Sequence, residues 1–145
     1  MGLVLALWIY TSSVKPLRNM NKVQSTLTEQ IQEALSNIKN GESPESQMKG
    51  ILQMRALADK YPDNADLQWH MGLFSMQSGQ YEKALARFEK VISLDTQRVN
   101  AYMQMALSYA ALQDTSSAQN VLSTLIEKSE GDLQQRAEVM LEKLK

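Results

Sequence analysis

From Ala65 to Gly131 the chain is written twice on a 34-residue period. Setting Ala65 against Val99 pairs Met71 with Met105, Leu73 with Leu107, Ala84 with Ala118, Phe88 with Leu122, Val91 with Leu125 and Ile92 with Ile126, without a gap. Each copy holds two apolar patterns of helical spacing joined by a short polar turn, Gln77-Ser78-Gly79-Gln80 in the first and Leu112-Gln113-Asp114 in the second. One amphipathic helix cannot cover its own apolar stripe, and neither can one such pair, so neighbouring pairs must stack to bury them. A chain built this way is confined to an all-α array of antiparallel helix pairs.

The period also runs backwards. Gly50 falls in the slot of Ala84, Met54 in that of Phe88, Leu57 in that of Val91, and Pro62 where a unit should close. With Gly72 or Ala106 set against Ala84 or Ala118 where two helices cross, the pattern resembles the tetratricopeptide repeat family over roughly residues 43–145. Gln68 stands where that family usually has tryptophan, Ser75 where Tyr109 supplies its tyrosine, and Thr96 and Glu130 where it closes on proline. The resemblance implies a right-handed superhelix of about two and a half to three repeats plus a terminal helix.

Composition narrows the function. A net charge of −1 gives no general attraction for nucleic acid, and 43% hydrophobic residues with 21% charged describe a chain that folds around a core. Without cysteine there is no disulfide, thiolate metal site or thiol nucleophile. His70 is the single histidine, with Asp66 one turn before it, and reads as a helix-surface residue beside a local carboxylate. No phosphate loop, strand-to-helix nucleophile elbow or apolar carboxylate pair is present. No enzyme, cofactor or metal site is expected.

Three segments follow in order. Residues 1–19 hold the apolar run Gly2 to Tyr10, softening through Val14 and followed by Lys15, Arg18 and Lys22. At roughly 13 residues it falls short of the ~20 of a bilayer span, yet Trp8, Tyr10 and the bases suit a membrane interface. The expectation is a membrane anchor, itself incomplete, with a signal-like segment packed elsewhere or a buried core helix as alternatives. An extracytoplasmic, periplasmic repeat domain is slightly favoured over the cytoplasmic side. Residues 20–42 form an amphipathic helix on Met20, Val23, Leu27, Ile31, Leu35 and Ile38, closed by Asn40-Gly41, which reads as a cap on the array or as a coiled-coil or partner-binding helix. The repeat domain, 43–145, begins at Ser43-Pro44-Glu45, and Asp63 or Asn64 caps its next helix. Helices are predicted at Tyr81 to Leu94, Arg98 to Leu112, Thr115 to Lys128 and Leu133 to Leu144, the last presenting a polar outer face.

By the resemblance, the first helix of each pair lines the inner side of the array. The exposed positions there include Trp69, Leu73 and Met76 in one repeat and Met103, Leu107 and Ala110 in the next. Relatives that clamp the carboxylate tail of a chaperone use Lys, Asn and Arg at such positions, because an anionic terminus needs charge-assisted donors. Here the wall is apolar and rich in Met, which suits the hydrophobic face of a helix or an apolar peptide. The implied function is a non-catalytic adaptor or scaffold that binds a partner protein in this groove, within or near a membrane complex. A homo-oligomeric structural subunit, assembled through the 20–39 helix or the groove, is the alternative, and filling of the groove by the chain's own helices stays open.

Overall fold

Residues 26–145 are described by the computed structural model of the chain. They contain seven helices and no strand: α1 (26–40), α2 (Pro44–Lys60), α3 (Ala65–Gln77), α4 (Tyr81–Leu94), α5 (Asn100–Ala111), α6 (Thr115–Lys128) and α7 (Gly131–Lys143). This is an all-α helical-repeat fold whose described residues fall into two compact units, one up to Met54 and one from Arg55 on, with the division inside α2.

The helix starts follow from local chemistry. Pro44 opens α2, where its missing N–H costs nothing, and the Ser43 hydroxyl accepts the Ser46 N–H at 3.2 Å. Asn64, rather than Asp63, caps α3: its Oδ1 accepts the Leu67 N–H at 3.0 Å, while Asp63 pairs with Lys90 Nζ at 2.7 Å. Asp114 caps α6 through the Ser117 N–H at 3.0 Å. The Asp114 carboxyl lies below its ordinary pKa, chiefly because the Ser117 side chain hydrogen-bonds to it and secondarily through that backbone bond.

In the first unit, Leu27, Ile31 and Ala34 of α1 are buried. Gly50 of α2 comes so close to α1 that a β-carbon there would stand 2.7 Å from the Ala34 carbonyl oxygen and 2.8 Å from Ile38 Cγ1. The second unit stacks α3 on α4, α4 on α5, α5 on α6 and α6 on α7. One apolar cluster joins Ala84, Leu85, Phe88 and Val91 of α4 to Ala101 and Met105 of α5. A second joins Met103 and Ala106 of α5, Leu122 and Leu125 of α6, and Ala137 of α7. Gly72 and Ala106 hold the crossing positions; a β-carbon on Gly72 would lie 2.7 Å from the Phe88 ring.

The turns repeat as well. Gly79 and Gln113 occupy the same place one period apart, and both have left-handed backbone, with φ of 70° and 63°. Gly79 adopts this without strain, whereas Gln113 carries a β-carbon against it.

The membrane-anchored, extracytoplasmic placement expected from the apolar start is corrected. Among the described residues no helix is long and apolar enough to cross a membrane. The helices from α2 to α7 run from 12 to 17 residues and keep polar faces, against the ~20 apolar residues that a span requires. Segment 1–19, on which the anchor rested, lies outside the described residues, as does the start of the 20–42 helix.

Candidate peptide-binding groove

Helices α3 and α5 are the first helices of successive pairs, with α7 stacked after α6, and the six expected groove residues divide between α3 and α5. Trp69, Leu73 and Met76 of α3 are half-buried and pack against the α4–α5 cluster. Trp69 meets Phe88 edge to face, with ring centroids 5.5 Å apart at 64°. Much of its apolar surface is therefore spent on the core.

The α5 residues stand differently. Leu107 is exposed, at 40%, while Met103 keeps only 4% of its surface because α7 lies across it. Both line an open cavity of about 450 Å³ whose other wall is α7: Gln135, Arg136, Val139, Met140 and Lys143. Ala110 is half-buried and does not line it. The structure thus brings Met103 and Leu107 together with α7, and sets Trp69, Leu73 and Met76 on the neighbouring cluster.

The α7 wall is what sequence reasoning missed. The last helix is expected to present a polar outer face, and filling of the groove by the chain's own helices is left open, but neither expectation names Val139, Met140 and their charged neighbours as a wall of it. A trace was present: Arg136, Met140 and Lys143 recur at helical spacing beside Val139, which makes one stripe along the helix. In the structure Leu133, Met140, Leu141 and Leu144 pack inward around Ala137, while Val139 stays 51% exposed.

Charge is distributed unevenly around this face. Asp66, at the start of α3, is neutralised by Arg98 Nη2 at 2.7 Å, and the same guanidinium holds Asp95 at 3.2 Å. His70 is half-buried on α3 and already engaged within the chain. Gln68, in the tryptophan slot, is buried yet fully used: its Nε2 donates to the Pro62 carbonyl at 2.7 Å and its Oε1 accepts from Arg87 Nη1 at 2.7 Å. Among the described residues no cluster of three His, Asp or Glu is placed to hold a metal.

Known proteins place this architecture. The family model for the tetratricopeptide repeat matches residues 75–141, from the end of α3 almost to the end of α7. Among solved structures, the first TPR of Spaghetti (RPAP3), bound to the HSP90 peptide SRMEEVD, aligns with a TM-score of 0.59. It does so at 20% identity, over 78% of this chain and 90% of that one, a likeness of fold. No curated protein matches the chain. Over residues 75–141 the chain is similar to the tetratricopeptide repeat, within an all-α helical-repeat fold.

Proposed function

We propose that the chain is a non-catalytic adaptor that takes an apolar or amphipathic segment of a partner protein along α3, α5 and α7, with the α5–α7 cavity as its anchoring point. The observation that carries this is the cavity itself, which is open to solvent and floored by Met103, Leu107, Val139 and Met140. Two of these are large side chains left exposed on facing helices, an arrangement that costs free energy in water and is recovered when a partner covers them. Its volume lies within the ~300–1,000 Å³ of ordinary ligand pockets. Thioether side chains add contacts that adapt to the shape of the guest.

The similar fold bound to a peptide supports the same reading. That peptide is acidic and ends in Asp, and a clamp for such a terminus needs donors on the first helices. At the corresponding positions α3 and α5 offer Trp69, Leu73, Met103 and Leu107, which favours apolar side chains as the primary determinant. The α3 trio extends the wall, and its share in partner contact is smaller than that of α5 because it is largely committed to Phe88 and its neighbours.

A photo-crosslinking amino acid placed at Leu107 tests this, with Leu94, an exposed leucine on α4, as control. Discrete adducts from position 107 and none from 94 are expected in cells expressing the intact protein. Equal labelling from both positions would reject the groove.

A further inference from the structure

The α5–α7 cavity has an apolar floor but not a neutral rim. Both ionisable side chains that line it, Arg136 and Lys143, are cations, and no carboxylate does. Local acids leave this charge largely unspent. Asp132 approaches Arg136 only at 3.8 Å, between side chains that are both mostly exposed, and Glu142 is taken by Lys145 at 2.7 Å. Exposed pairs of this kind are weak, so a carboxylate arriving with a ligand competes with them on favourable terms.

Geometry makes the charge specific. Arg136 and Lys143 lie seven residues apart on α7, which is about 10 Å along the helix axis at 1.5 Å per residue. Val139 and Met140 lie between them. A bound segment that seats an apolar side chain on Val139, Met140, Leu107 and Met103 therefore passes one cation on each side. An extended chain advances about 3.3 Å per residue, so carboxylates about three residues apart reach both. Beside an apolar wall, less water screens each pairing than on an open surface.

We propose that this pocket recognises an internal acidic–apolar segment of its partner, a bulky apolar residue bracketed by Asp or Glu side chains, with Arg136 and Lys143 reading the two carboxylates. This rests on the groove reading above and adds to it the partner's chemistry. Recognition is through side-chain carboxylates within a segment, so no free chain terminus is required.

The test is selection from a library of random twelve-residue peptides displayed with both ends joined to the carrier, panned on the full chain. Sequences in which Leu, Met, Ile or Phe is bracketed by Asp or Glu should be enriched. A synthetic copy of the most enriched peptide, blocked at both ends, should bind the chain in calorimetry. The double variant Arg136→Glu/Lys143→Glu should weaken it about tenfold or more, and panning on that variant should enrich Lys and Arg instead. Val139→Asp should abolish binding by either peptide class. All these positions are exposed, so the far-UV circular dichroism of each variant should match the parent's. If enriched peptides bind the charge-swapped chain as tightly, the acidic preference is wrong while the groove stands. If Val139→Asp also leaves binding unchanged, or if panning enriches nothing, both readings fall.

Discussion

Gly72 faces Phe88 as Ala106 faces Leu122, and the two repeats solve one crossing with opposite allotments of volume. A β-carbon on Gly72 enters a ring that is itself fully buried, and Trp69 closes off its escape. Gly72→Ala gains up to ~1 kcal/mol of helix propensity but overpacks the core at a cost of about 1–3 kcal/mol, so net destabilisation is expected in chemical denaturation. Phe88→Leu, which copies the second repeat, makes room for the methyl. The double variant should therefore be more stable than the two single losses predict, by about 1 kcal/mol in a double-mutant cycle. At the turns the asymmetry runs the other way. Gln113 holds the left-handed conformation that Gly79 holds freely, and Gln113→Gly should stabilise the chain by about 0.5–1 kcal/mol in the same assay.

Among the elements, α4 and α6 were legible to the residue: Tyr81–Leu94 and Thr115–Lys128 agree with the bounds that their apolar periodicity predicts. α7 was less so. It starts at Gly131 rather than Leu133, and earlier still than Gln134, where the period carried forward from Asn100 would begin it. The physical reason is that a repeat period encodes which faces meet the next copy. The face of α7 is set by how Ala137 fits onto Leu122, Leu125 and Met103, which no periodicity records. For the same reason Met103 reads as open wall in sequence and is buried in the structure. The Asp114 cap makes a pH prediction at this scale. Its carboxyl has a folded pKa below the unfolded one, so its contribution is complete above the unfolded value and is lost as pH falls through the folded one. Thermal melts of Asp114→Ala and parent should differ near neutral pH and converge as pH is taken well below 3.8.

At the scale of the whole molecule, the described array from α3 to α7 depends on each helix pair being covered by the next. Truncation after Lys128 would strip α7 from Met103, Leu122 and Leu125, and a cooperative loss of α5 and α6 with concentration-dependent aggregation is expected by light scattering. The same helix forms one wall of the cavity, beside which Leu107 and Val139 stay exposed. The central claim is that this opening, rather than the α3 wall or the outer helices, receives the partner. Methyl-resolved NMR during titration with a blocked peptide selected on the chain tests it most directly. The methyl signals of Met103, Leu107, Val139 and Met140 should shift together and saturate at one stoichiometric equivalent, while those of Met48 and Leu52, exposed on α2, and of Leu94 stay still. Saturating shifts centred on Met48, Leu52 or Leu94, with the four cavity methyls unmoved, would contradict it.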